Sequence, residues 1–474
     1  AVQPIGPSMA DICDAVLPDS QTTPEGKAFE KEIDGVLGGE RRDHPLYIGG
    51  QKIGSGHLFY VGSPIDEMIM YGSFQEPEKG TMVAAVEAAQ RSVRDWAKLS
   101  SVERAACFKP YIATLKARRM HYAALVTVSS GMVMREALAE VDFLIEALER
   151  MQSDAAGFGK GKGGVWAVFS QHNSPLASPV AYAVAAMIAG NAVIMYPSNT
   201  CPLPVFDFYS VMERTGLPGG VLNVVVDRLE AESTAELAND MRLRGIVASG
   251  SGKRMEDMQF LMIDDELRFI NNIKGMSPCI VYRPGSMKQA AKAIIDSAFS
   301  FSGQRIHSCS KVIVTMDEQK ELMACLVEDL KDLRISDPVN DTAFSGPVIS
   351  CSEGERFRDI VAENAEFVVA KAPRCTDSSA GNYISPVIMA GLDEENELEY
   401  MDSGLPILCV KVVSSLDQAF EELSNTECGM SAGLFSKDAK TIDRFKKEAD
   451  APVLYINRSS TELSPVVGAD LDLF

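Results

Sequence analysis

The chain has 474 residues, 46% hydrophobic and 23% charged, which is too long for one small domain and fits a globular protein of two or three. Its 45 basic and 66 acidic residues leave a formal charge of −21, which argues against a general affinity for nucleic acid or anionic membrane. No apolar run reaches the roughly 18 residues that a membrane span needs, and the first 25 residues lack a basic start followed by an apolar core, so neither a span nor a signal peptide is expected.

The ten cysteines are Cys13, Cys107, Cys201, Cys279, Cys309, Cys325, Cys351, Cys375, Cys409 and Cys428; no two are spaced Cys-x-x-Cys, and only five histidines accompany them. Scattered thiols in a reducing cytoplasm are the expectation, with neither a disulfide framework nor a metal site.

In chain order, helical patches occur around Met9–Leu17 and Gly26–Leu37. Pro45–Ile53 alternates and turns at Gly49-Gly50, which predicts a hairpin. Gly80–Ala97 places Val83, Val86, Ala89, Val93 and Trp96 at helical spacing, and Ser101–Leu125 and Arg135–Ala155 supply further helices. The glycine-rich Gly157–Gly164 lacks the Gly-Lys-Ser/Thr ending and preceding strand of a phosphate loop, so it reads as a turn before a strand. Strands at Val165–Phe169, Ala192–Met195, Val221–Val226 and Gly245–Ala248 alternate with helices at Pro179–Ala189 and Pro204–Thr215. That spacing predicts a parallel, doubly wound sheet with a ligand crevice at its carboxyl edge. Ser249–Gly252 then opens a helix at Lys253–Phe260. A second α/β unit contains Pro278–Val281, Met287–Ser300, Lys311–Val314, Glu318–Leu333, Glu366–Val369, Ile407–Val413, Leu416–Ser424 and Ala432–Phe435.

The stretch Phe299–Val314 runs from that unit's first helix through a tight Gly303 turn into a β-branched strand. Its Gly303–Lys311 resembles the nucleophile segment of the aldehyde dehydrogenase superfamily. The wording is nearest to the Δ1-pyrroline-5-carboxylate (glutamate semialdehyde) dehydrogenases, whose Gly-Gln-Lys-Cys-Ser-Ala-Cys-Ser-Arg aligns without a gap. The likeness spans the chain from about Leu46 on. It is carried by Ala189–Ser198, Gly216–Asn223, Gly346–Ile349, Ser424–Asp438 and Tyr455–Arg458. It implies an α/β aldehyde dehydrogenase-like fold: a doubly wound cofactor-type domain over 1–144 and 163–273, and a second α/β catalytic-type domain over 274–474. It also implies a vestigial oligomerisation strand region at 145–162.

The resemblance also identifies the positions that would carry the chemistry, and most are replaced. The attacking cysteine is Ile306, the general base is Asn272, and Asn173 stands where the oxyanion-holding amide would be, although it also suits an Asx turn. Among the cofactor positions, the ribose-clasping lysine is Tyr196, the second clasp aligns with Asp402, Ser251 matches the hydroxyl that meets the pyrophosphate, and Met255 replaces a helix-opening glycine. The substrate-anchor positions are His307 and Glu462-Leu463; a carboxylate at Glu462 would repel an acidic substrate. Cys309 is a substitute nucleophile only if it does not point away into the strand, and His307 is a base only if it is not an idle replacement.

The expectation is therefore a pseudoenzyme, a binding, scaffold or regulatory protein without dehydrogenase activity. No cofactor is expected, or NAD or NADP if the cleft is open. The partner is an unknown protein or a second copy, and the closing Gly468–Phe474 alters the family-type dimer. The alternatives are a divergent NAD(P)-dependent aldehyde or 1-pyrroline-5-carboxylate dehydrogenase, or a hydrolase using Cys309 or His307.

Overall fold

The computed structural model describes residues 23–38, 43–158, 163–228, 231–250, 267–340, 342–373 and 382–474. Ser251, Met255 and the helices expected at Met9–Leu17 and Lys253–Phe260 lie outside them. The chain divides into a first unit, Pro24–Ile273 with Pro465–Phe474, and a second unit containing Lys274–Ser464. Residues 465–474, expected with the second unit, thus pack with the first.

The first unit begins with helix α1 (Pro24–Leu37) and the strands β1 (Asp43–His44), β2 (Leu46–Ile48), β3 (Gln51–Ile53), β4 (Leu58–Ser63) and β5 (Asp66–Gln75). The predicted hairpin is β2–β3; Gly49 and Gly50 turn it at φ of 63° and 78°, a region glycine enters without a Cβ clash. Helix α2 (Thr81–Trp96) follows, then α3 (Ser101–Ala106), α4 (Lys109–Ala117), α5 (Arg119–Ser130) and α6 (Met134–Asp154). The strand expected within 145–162 is not formed over 145–154. There Leu144, Ala147, Leu148 and Met151 recur at helical spacing and are buried on one face of α6. Residues 159–162 lie outside the described ones.

The sheet that positions the candidate residues contains β6 (Val165–Ser170), β7 (Ala192–Tyr196), β8 (Leu222–Val224), β9 (Leu243–Gly250) and β10 (Arg268–Ile273). Its order is β10-β9-β6-β7-β8-β2-β3, parallel from β10 to β8. Every residue of β6 and β7 is buried, as helices on both faces require: α7 (Ala177–Ile188), wholly buried, follows β6, and α8 (Leu203–Met212) follows β7. Helix α2, with α9 (Ala231–Ala238), packs on the face that carries Ala167, Phe169, Ile194 and Tyr196. From β6 the chain moves to β7 on one side and later to β9 on the other. The carboxyl ends of β6 and β9 therefore flank the topological switch point, where ligands of such sheets bind.

The second unit holds β11 (Pro278–Val281), α10 (Met287–Phe299), β12 (Lys311–Thr315), α11 (Met316–Lys331), α12 (Cys351–Glu363), β13 (Val368–Lys371), β14 (Val387–Ala390), β15 (Ile407–Val413), α13 (Leu416–Asn425), β16 (Ser431–Phe435), α14 (Ala439–Glu448) and β17 (Val453–Ile456). Its sheet runs β13-β14-β15-β12-β11-β16-β17, parallel except for β13. Lys311 opens the central strand with its side chain 1% exposed, its ammonium 2.9 Å from Glu399 and 2.5 Å from Glu422, and Lys411 reaches Glu399 at 3.3 Å. Such a charge is tolerable inside only with its partners in place. Lys311→Met should cost about 3 kcal/mol in urea unfolding because it leaves the buried Glu399 with the more distant Lys411 alone, and Glu399→Gln on the same chain should recover part of that loss.

Candidate functional site

Asn173 lies in the turn that leaves β6 at the switch point and is buried. Strand pairing continues past the end of β6, where the Gln171 amide donates to Ser249 O at 3.0 Å. A Cβ on Gly250 would meet Gln171 Cβ at 2.4 Å and Asn173 Oδ1 at 3.2 Å, so the glycine makes room for the turn. The turn is fixed from α6 by Glu140, a buried residue that no sequence motif announced. Its Oε1 accepts from Ser174 Oγ at 2.6 Å, Ala177 N at 2.8 Å and Leu176 N at 3.2 Å. A carboxylate among the free N–H groups of a helix start is favoured by both hydrogen bonding and the helix dipole.

Asn272, fully buried on β10, uses its amide as a double donor. Nδ2 gives one hydrogen to Ser249 Oγ and one to Pro465 O, both at 2.9 Å. Tyr196, at the end of β7, is fully buried in the apolar face under α2, edge-on to Phe169 with ring centroids 5.4 Å apart. Ser251 is outside the described residues.

In the second unit, α10 ends at Phe299 and the backbone enters the left-handed region for three residues: Phe301 at φ 51°, Ser302 at 50° and Gly303 at 72°. Outside glycine this costs about 1–2 kcal/mol per residue. The segment after Ser345 holds it. Ser302 N donates to Ser345 Oγ at 2.6 Å, Ser302 Oγ to Gly346 O at 2.7 Å, and Ile349 N to Gln304 Oε1 at 2.9 Å. A Cβ at Gly303 would lie 2.5 Å from Leu405 O, so this turn demands glycine. It delivers Ile306, 2% exposed.

Most of the neighbouring candidate groups have internal partners. The His307 ring Nε2 lies 2.9 Å from Ser464 O, and its backbone oxygen accepts from Ser460 Oγ at 2.6 Å. Burial pulls its pKa down to about 4 against the Ser464 bond, with the charges of Arg305 and Lys274 adding to the fall. Cys309 is buried, its Sγ 3.6 Å from Cys279 Sγ and 3.5 Å from Lys311 O. It therefore points into the core, as its place before the strand predicts. Asp402 pairs with Lys274, with the two side chains 5% and 2% exposed, and its other oxygen accepts from Gly404 N at 2.7 Å. Lys274, two residues after Asn272, is the partner that sequence reading missed. Of the positions read as substrate anchors, Glu462 and Leu463 part company. Leu463 is buried in the core with Cys279, Phe299 and Tyr455. Glu462 is 58% exposed and faces Arg458 at 3.8 Å, so its carboxylate is a screened surface charge rather than a buried repulsive one.

A model of the aldehyde dehydrogenase family matches residues 54–469. The chain belongs to the aldehyde dehydrogenase family. It is 26% identical over 470 residues to the 1-pyrroline-5-carboxylate dehydrogenase of Geobacillus sp. (strain WCH70), covering 94% of this chain and 90% of that one. It is likewise 26% identical over 457 residues to 1-pyrroline-5-carboxylate dehydrogenase 1 of Halalkalibacterium halodurans, covering 92% and 88%. The fold matches a 1-pyrroline-5-carboxylate dehydrogenase from Thermus, solved with bound NAD, at a TM-score of 0.87 and 20% identity over 96% of this chain and 94% of that one. This family member thus has the aldehyde dehydrogenase fold of a Rossmann-like domain and a catalytic-type domain. Among the described residues no helix is long and apolar enough to cross a membrane.

His307 makes the stability of this aldehyde dehydrogenase relative pH-dependent with a definite sign. The unfolded residue takes up a proton near pH 6.5, the folded one only near pH 4. Between those values the unfolded state binds more protons, so stability falls as pH drops through this window, by about 3 kcal/mol, and levels off below it. His307→Gln keeps a donor toward Ser464 O without titrating. Its thermal midpoint should fall less than the wild type's between the two pH values, as followed by circular dichroism.

Proposed function

We propose that this chain is a non-redox member of its family, a pseudoenzyme that acts as a binding, scaffold or regulatory protein. The observation that carries the reading is Ile306, a buried hydrocarbon at the position read as the nucleophile. Aldehyde oxidation of this type needs a thiolate to add to the carbonyl so that the tetrahedral adduct can release hydride. Isoleucine has no lone pair to offer. The two groups in reach along the chain do not replace it: Cys309 is turned into the core, and His307 is neutral, buried and bonded to Ser464 O.

The other positions support the same reading. Asn272, at the position read as the general base, is an amide that donates both hydrogens and takes up no proton near neutral pH. The residues at the ribose-clasping positions do not fit a dinucleotide. Tyr196 belongs to the apolar core, and the Asp402 carboxylate is engaged by Lys274 and Gly404. No chemical step is therefore derived through NAD or NADP. Ile306 fills apolar space where a small polar thiol would otherwise sit.

A second reading, a divergent NAD(P)-dependent 1-pyrroline-5-carboxylate dehydrogenase, is favoured by the comparisons themselves, since relatives covering nine-tenths of the chain carry that name. The two readings separate in one assay. The purified protein, given NAD or NADP with 1-pyrroline-5-carboxylate or a simple aldehyde, should produce no reduced nicotinamide above the protein-free rate. An aldehyde-dependent rise in its absorbance establishes the second reading. Calorimetric titration with NAD and NADP checks the cofactor positions separately. Wild type and Tyr196→Lys should both show no heat of binding, and binding by the wild type would restore the cleft as a nucleotide site.

A further inference from the structure

Residues 465–474 return to the first unit and lie along α7, and in most of their hydrogen bonds the unit's side chains donate and the segment's main-chain carbonyls accept. Ser178 Oγ and Asn272 Nδ2 both donate to Pro465 O, at 3.1 and 2.9 Å. Tyr182, one helical turn after Ser178, donates its hydroxyl to Val467 O at 2.5 Å and accepts from Val467 N at 3.2 Å. Arg268 donates to Leu473 O and Asn191 Nδ2 to Phe474 O, each at 3.4 Å. Three apolar side chains of the segment, Ala469, Leu471 and Phe474, are buried, and the Phe474 ring packs on Trp166 with centroids 4.6 Å apart. Gly468, at φ 72°, makes the bend between the polar half and the apolar half. A lone surface pair, Arg150 with Asp470 at 3.1 Å, completes the set.

We infer that the first unit carries a peptide-binding groove, built from Ser178, Tyr182, Asn272, Asn191, Arg268 and Trp166, and that residues 465–474 are its tethered ligand. Carbonyl recognition is blind to side-chain identity, so specificity falls on the apolar anchors at positions 469, 471 and 474. The groove fits a peptide with that apolar spacing whose end closes into a 3-10 turn, as Leu471–Leu473 does, and this chain's own segment is its occupant. Asn272 is the hinge of the arrangement. A carboxylate there would offer acceptor oxygens to the Pro465 carbonyl and lose the donated hydrogen, so a bound segment and an acidic residue at 272 exclude each other. The inference does not depend on Ile306 and survives if the protein proves to be a dehydrogenase.

Hydrogen exchange on the full chain tests it first. Amides of 466–474 should be protected in the wild type. Tyr182→Phe, which removes both bonds to Val467, should speed exchange at Val467 about tenfold while the second unit is unchanged. Exchange of the wild-type segment at the rate of an unstructured peptide overturns the inference. The second test frees the groove in the full chain with Leu471→Asp/Phe474→Asp and adds a fluorescein-labelled peptide, Pro-Val-Val-Gly-Ala-Asp-Leu-Asp-Leu-Phe. The peptide should bind this variant in the micromolar range and bind the occupied wild type at least about tenfold more weakly, which anisotropy reads as 1.4 kcal/mol. No binding to the folded variant, or equal binding to both proteins, overturns the inference. If the variant does not fold, the exchange data decide.

Discussion

Burying a polar group is costly unless it finds an internal partner, and three of the positions singled out in this chain show such pairing. Asn272 is fully buried, and its amide hydrogens go to Ser249 Oγ and Pro465 O. Lys274 would carry an isolated charge into the interior without Asp402. His307 is held neutral by burial and bonded to Ser464 O. In each case one polar group is held by an internal partner, so exposing it would cost the packing around it.

The backbone around Ile306 is held by groups other than the side chain it presents. The turn depends on Gly303, which has no room for a Cβ, on Gln304, and on the Ser345–Ile349 segment that holds the left-handed residues. These groups fix the path of the chain. The side chain at 306 does not contribute to any of those bonds, so it can change from sulfur to hydrocarbon without disturbing the turn. Function resides in the side chains set on the fold, and the fold alone does not certify it.

Much of this architecture was legible in the sequence where local pattern and tertiary role agree. The hairpin at Pro45–Ile53 carried its own Gly-Gly turn, and the apolar runs Val165–Phe169 and Ala192–Met195, alternating with helices, read as strands of a parallel sheet; the structure extends them to Ser170 and Tyr196. Strand Arg268–Ile273 was not legible. Its Arg-Phe-Ile-Asn-Asn-Ile has no clean alternation, and only pairing with Leu243–Gly250 makes it a strand. Glu140 was invisible for a similar reason: on an amphipathic helix it reads as a solvated charge, and only the packing of α6 against α7 turns it inward as a cap. Lys274 and Asp402 were each visible, yet 128 residues separate them, and no local rule joins them. The expected strand near 145–162 failed because a family position was carried over against a helical pattern that the residues themselves displayed.

The same internal pairing constrains what a substitution can do. The amide at 272 donates to Pro465 O, so a carboxylate there would put acceptor oxygens against that carbonyl and loosen residues 465–474. Within the second unit, Asp402 is held by Lys274 and by Gly404 N. Asn272 and Asp402 are thus each tied into pairings that support their own unit, and a substitution at either would disturb contacts spread along the chain rather than one side chain.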